Sequence, residues 1–161
     1  MDIISHGLWG GAAFGRRSKK YFKIAFLFGM LPDLFAFTYV FFQQLFSGAI
    51  TSGPFHHVPL SVAALYSISH SFVVAGIVIA LAFVIWRRRM LPVLAWPLHI
   101  FLDVFTHDIK FFATPYLWPF HTFLFDGIPW NTPWIFIANW GALILVYIYL
   151  LKFKKVWKKK S

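Results

Sequence analysis

Apolar residues along this chain gather into long runs, and the runs themselves predict the elements. Four of them approach the roughly 20 residues that a helix rising about 1.5 Å per residue needs to cross a hydrocarbon core of about 30 Å. The first extends from Phe22 to Leu45, the second from His70 to Trp86, the third from Met90 to Thr106 and the fourth from Trp134 to Leu151. A further apolar stretch, Asp2 to Gly15, is Gly-rich and reaches only about 20 Å as a helix, which predicts a half-helix tucked into the bundle. Its basic residues follow it instead of preceding it, a poor pattern for a signal peptide. Two linkers remain: Ser47 to Ser69, with Gly, Pro and the pair His56–His57, and Asp108 to Pro133. The second carries Tyr116, Trp118, Phe120, Phe123, Phe125 and Trp130 among prolines, the pattern of a segment at the level of the lipid headgroups. The expected fold is a single integral membrane domain, residues 1–161. It is all-α, a polytopic helical bundle with about four transmembrane helices, an N-terminal half-helix and interfacial outer segments.

Composition reinforces this reading. The chain is 60% hydrophobic and only 12% charged, where a soluble domain is about a quarter charged, so a bilayer suits it better than water. The absence of cysteine excludes disulfides, thiolate nucleophiles, iron–sulfur clusters and zinc fingers, and leaves His and Asp as the ligands for any metal. A formal net charge of +10 raises the question of nucleic acid, and placement answers it. Arg16 to Lys23, Arg87 to Arg89 and Lys152 to Lys160 hold 14 of the 15 Lys and Arg, each group bordering an apolar run. That is a positive-inside pattern, not a stripe aligned to phosphates. It places the basic loops and the C-terminus in the cytoplasm, makes lipid the partner and predicts no nucleic-acid binding.

Chemistry enters with the polar residues inside the runs. All five acidic residues are Asp, and two of them, Asp33 and Asp103, fall where lipid is expected. A charged Asp near the bilayer centre costs about 2.5–3.5 kcal/mol, so both need partners. The spans offer histidines instead of Lys or Arg. His99, Asp103 and His107 are spaced i, i+4, i+8 along one helical face, where imidazole and carboxylate one turn apart form either a chelating pair for zinc or a similar divalent ion, or a hydrogen-bonded pair that joins helices. Depth adds a second test. Counted at about 1.5 Å per residue from the nearest basic group, His6 lies roughly 15 Å deep, Asp33 about 20, His99 about 15, Asp103 about 21 and His70 about 25. Four segments thus bring their ionisable groups to one layer, in the outer half of the bilayer, as a shared metal or proton site requires. Pro32 is expected to kink or open the first span beside Asp33, and Pro97 to do the same near His99.

Several short motifs also carry a family resemblance. Ser5-His6-Gly7, Leu31-Pro32-Asp33, Ser69-His70-Ser71 and His99-x-x-x-Asp103-x-x-Thr106, followed by Leu117-Trp118-Pro119, resemble the YdjM-like family of inner-membrane, metal-dependent hydrolases. That family is distantly similar to the zinc-dependent phospholipases C. The resemblance implies a bacterial inner-membrane location and one to three metal ions, zinc first among them, held by His6, Asp33, His70, His99 and Asp103. It assigns to Asp33 the orientation or deprotonation of the attacking water. The chain departs from the family pattern at Phe35, where a second acidic residue is common, and across Leu65-Tyr66-Ser67-Ile68-Ser69, where an Arg-Gly stretch with another His is common. His107 is a candidate extra ligand.

The expected function is metal-assisted hydrolysis of a phosphate ester in a phospholipid or lipid-linked substrate. Two rivals stay open: an ion or proton transporter, since intramembrane Asp and His also mark ion paths, and a non-catalytic membrane protein that keeps a metal for stability. His56, His57 and His121 read as interfacial residues, and Asp108 and Asp126 as solvated loop residues.

Overall fold

A computed structural model describes residues 1–47, 60–86, 91–110, 112–121 and 123–152. The pair His56–His57, the group Arg87 to Arg89 and the lysines beyond Lys152 lie outside the described residues. Six α-helices and one 3-10 turn account for most of the rest: α1 (Ile3–Phe14), α2 (Lys19–Ser47), α3 (Leu60–Ser69), α4 (Phe72–Trp86), a 3-10 turn (Leu91–Leu94), α5 (Ala95–Thr106) and α6 (Pro133–Lys152). No strand occurs among the described residues.

The half-helix forms where its caps dictate. Asp2 accepts from the Ser5 backbone N–H at 2.9 Å and so satisfies a free donor of the first turn of α1, and the Gly15 N–H closes the other end on the Gly11 carbonyl at 2.9 Å. Helix α2 begins at a second cap, with the Tyr21 N–H on Ser18 Oγ at 3.2 Å. It then continues through Pro32 as one helix of 29 residues.

Two helices are long and apolar enough to cross a membrane, Lys19–Val40 within α2 and Pro133–Lys152; α3 with α4 makes a third crossing if the bent pair counts as one span. A fourth crossing is not among these candidates. The third run forms a 3-10 turn with Pro92 followed by a helix of 12 residues, and the two together, Leu91–Thr106, fall short of the roughly 20 residues of a straight crossing. The second run begins at a break instead of a helix start. Helix α3, which lies in the stretch expected to be linker, meets α4 at a 54° bend around His70 and Ser71.

The loop after α5 holds both irregular places. Tyr116 O accepts from the Phe72 N–H at 2.9 Å, and the Ser71 hydroxyl donates to Trp118 O at 2.5 Å while accepting from the Val73 N–H at 3.1 Å. At the end of α5, the N–H groups of Gly127, Ile128 and Trp130 donate to the carbonyls of His107, Phe105 and Thr106. These are carbonyls that a helix end otherwise leaves without partners. Gly127 is required there, since a Cβ would sit 2.5 Å from Phe105 O.

Packing is inverted relative to a water-soluble protein. The buried apolar side chains are mostly small or branched, among them Ala25, Ala36, Val62, Ala75 and Ala95, whereas Leu27, Phe35, Tyr39, Leu81, Phe83, Ile137 and Leu145 point outward. Small residues between helices and large apolar ones outside suit hydrocarbon surroundings.

Candidate metal centre

Each polar side chain at the centre of the bundle comes from a different kind of place. His6 projects from the first turns of α1, Asp33 from the middle of α2, His70 from the break between α3 and α4, and His99 and Asp103 from successive turns of α5. Close approach of α1 to α2 depends on Gly29, where an added Cβ would lie 2.4 Å from the His6 carbonyl oxygen. All five residues are buried, with Asp33 at 6% the most exposed.

Asp33, His70, His99 and Asp103 each aim one ligand atom into a region where all four lie within 4.8 Å of one another, a group that could hold a metal ion. The two Nε2 atoms of His70 and His99 are 3.0 Å apart. Asp103 Oδ2 stands 3.2 Å from His99 Nε2 and 3.4 Å from His70 Nε2; Asp33 Oδ1 stands 3.4 Å from His70 Nε2 and 3.7 Å from His99 Nε2. Donors around a tetrahedral ion with bonds of about 2.0–2.1 Å are separated by about 3.3 Å, so these spacings bracket what such an ion requires.

Proton positions follow from the partners. His99 Nδ1 lies 2.7 Å from the Gly29 carbonyl oxygen, and His70 Nδ1 lies 3.2 Å from the Tyr66 carbonyl oxygen with Ser69 Oγ at 2.9 Å. A carbonyl only accepts, so both neutral rings carry their proton on Nδ1 and present a bare Nε2 lone pair inward. Two lone pairs then face each other at 3.0 Å beside two carboxylates. Asp103 Oδ2 is buried with no hydrogen-bond partner. With both rings neutral the four are acceptors with no donor among them, a repulsion that a shared cation, or a proton on one Nε2, relieves. Imidazoles that donate their second N–H to a backbone carbonyl are also the usual form of metal-ligating histidine.

The other oxygen of Asp103 is amply served. Oδ1 lies 2.8 Å from His6 Nε2, 2.5 Å from the Met1 amino nitrogen and 3.4 Å from the Thr106 hydroxyl, which donates to it. His6 therefore supports Asp103 from outside the four-residue group, with its ring stacked on His99 at a centroid distance of 3.6 Å. His107, just past α5, directs Nδ1 at the Asp103 carbonyl oxygen at 3.2 Å and lies 3.4 Å from Oδ1. It borders the group without entering it. No protein-family model, curated protein or solved structure matches the chain. The functional reading accordingly rests on this geometry.

Some contributors leave no trace in a residue pattern. The carbonyls of Gly29 and Tyr66 fix the two imidazoles, yet any residue supplies a carbonyl. Tyr66 also stacks on His70 at 3.7 Å and shares a hydrogen bond of 3.1 Å with Thr114, which ties the loop to the site. Helix α2 continues through Pro32, and the carbonyl that serves the site is that of Gly29, one turn before Asp33. Pro97 falls in the first turn of α5, where its missing N–H disturbs nothing. Among the outer residues, His121 accepts from the Phe123 N–H at 2.7 Å and Asp126 from the Ile109 N–H at 3.1 Å, both within the loop that follows α5.

Proposed function

We propose that the chain is a membrane-embedded, metal-dependent hydrolase of the YdjM-like type, acting on a phosphate ester of a phospholipid or lipid-linked substrate. The observation that carries this reading is the pair of bare Nε2 atoms at 3.0 Å beside the unpartnered Asp103 Oδ2. Two neutral imidazoles and two carboxylates favour a divalent ion of the zinc type, which offsets both negative charges. When bound, such an ion supplies an acidified water and polarises a phosphoryl oxygen.

The residues divide the remaining work. His70, His99 and Asp103 are the deepest of the four and hold the ion. Asp33, the most exposed, orients the attacking water and accepts its proton. His6, Thr106 and His107 keep Asp103 in place, and the carbonyls of Gly29 and Tyr66 fix the orientation of the rings. With α2 and α6 as the two crossings and α3–α4 as a re-entrant pair, the basic residues at the start of α2 and the end of α6 support an inner-membrane orientation with both these ends in the cytoplasm and the centre in the outer half of the bilayer.

Elemental analysis of purified, unsupplemented protein is the first test, with at least one transition-metal ion per chain expected. Chelation should lower the melting temperature, because an ion bound only to the folded state stabilises it. The same detergent-solubilised protein should hydrolyse a phosphodiester lipid, and Asp103→Ala should abolish both metal and turnover. Metal-dependent flux into vesicles without hydrolysis would assign the site to transport instead.

A further inference from the structure

Beside the centre, a groove of about 270 Å³ opens on the outside of the bundle. Leu31 and Phe35 of α2, Ile68 of α3, Val74 and Val78 of α4 and Trp96 of α5 line it. Leu31, Phe35, Ile68 and Val78 are each at least 36% exposed, so the groove faces the surroundings and not the interior. Its inner wall is Pro32 and Ser69, the residues immediately before Asp33 and His70. The Ser69 hydroxyl lies 2.9 Å from His70 Nδ1, and the Ser69 carbonyl accepts from Trp96 Nε1 at 2.7 Å, one turn ahead of His99. Groove and centre are thus two sides of the same three stretches of backbone.

What fills such a groove follows from its walls and its setting. Asp33 lies midway along a helix long and apolar enough to cross a membrane, so a bilayer would surround the groove between α2 and the bent pair α3–α4 with hydrocarbon. The indole N–H is already taken by Ser69, so the lining offers little to a polar ligand. The volume falls just below the roughly 300–1,000 Å³ of pockets that enclose a whole small ligand, so it suits one alkyl segment whose polar end lies elsewhere. An alkyl chain gains no hydrophobic free energy by moving there from lipid; packing against a fixed wall, and a headgroup held nearby, must supply the preference.

We infer that this groove seats a hydrocarbon chain of a bilayer lipid, held against the outer side of the backbone that carries Asp33 and His70. The nature of its headgroup rests on the hydrolase reading; the seating of the chain does not. Phe35 then acts as an apolar rim for the lipid's tail, a role an acidic residue could not fill.

The test uses the full chain in nanodiscs of phosphatidylethanolamine and phosphatidylglycerol, doped with phosphatidylglycerol that bears a diazirine on its palmitoyl chain. After irradiation, peptide mapping should find adducts at Ile68, Val74 and Val78 at least about fivefold more often than at Ile137 and Leu145 of α6, a preference of roughly 1 kcal/mol. Val78→Trp and, independently, Leu31→Trp should reduce the excess to the α6 level while metal content is retained. Equal labelling of groove and α6 overturns the inference, whether annular lipid or a second copy of the chain covers the groove. Hydrolysis of the same lipid without the diazirine is measured separately. An adduct excess without turnover keeps the groove and rejects the hydrolase, and turnover without the excess does the reverse.

Discussion

Helices α5 and α6 have similar apolar character and opposite duties. Helix α6 runs 20 residues with a mean hydropathy of 2.0, and only 11% of its apolar window is buried in the protein. Helix α5 has 12 residues, fewer than a straight crossing takes, and buries Ala95, His99, Ile100 and Asp103. The long helix satisfies the bilayer, and the short one satisfies the protein. The same contrast holds within the bent pair, where α4 is smoothly apolar and His70 sits at the break. Chemistry gathers where helices are short or interrupted, because only there can several ends and side chains from different segments converge on one point.

This contrast is broken most forcefully at Asp103. Asp103→Ala removes the carboxylate that faces His6, His70 and His99, and should empty the metal site and lower stability by about 3–5 kcal/mol, as loss of one partner in a buried charged pair does. Elemental analysis together with thermal melts checks it; full metal content in the variant would sink the assignment. Next comes Gly29→Ala, whose Cβ would meet the His6 carbonyl at 2.4 Å. Parting α1 from α2 should cost about 1–3 kcal/mol and weaken metal retention, although no ligand is changed. Ser69→Ala leaves His70 Nδ1 with the Tyr66 carbonyl alone, and metal affinity measured by chelator competition should drop by roughly tenfold, the lower end for an outer-sphere hydrogen bond.

Changes on α6 should be felt far less. Asn139 bridges this helix to α1 through Ser5 Oγ and Trp9 Nε1, both at 2.8 Å. Asn139→Leu should cost about 1 kcal/mol, two bonds at the roughly 0.6 kcal/mol typical in a membrane, with metal content intact. Leu145→Ala, on the outward face, should shift the melting temperature negligibly, since a side chain in lipid has no packed neighbours to lose. A large loss there would erase the distinction between the two helices.

How much of this was legible in the sequence follows the same division. The apolar runs marked α2 and α6 clearly, because length and hydropathy are what crossing requires. Shared depth drew attention to His6, Asp33, His70, His99 and Asp103, because an ionisable group in lipid has few explanations. Hydropathy does not register where a helix stops, so Pro92 and the 3-10 turn hid the shortness of α5, and a stretch that begins among Gly and Pro hid α3. The i, i+8 spacing placed His107 on the ligand face, yet α5 ends at Thr106 and the extended backbone of His107 leaves that face. Nor could the pattern separate a ligand from its support: His6 and Asp33 looked equivalent, and only the contacts put one on Asp103 and the other in the four-residue group.

The clasp formed by Gly127, Ile128 and Trp130 on the end of α5 bears on how the protein is made. An 18 Å segment carrying His and Asp is a poor candidate for independent release into lipid, and its terminal carbonyls stay exposed until residues 127–130 have been synthesised. Helix α5 is therefore expected to wait beside α2 and α3 while the following loop is translated and folds back. Ion capture would then be a late event in biogenesis, possible only once α5 has been locked down from behind.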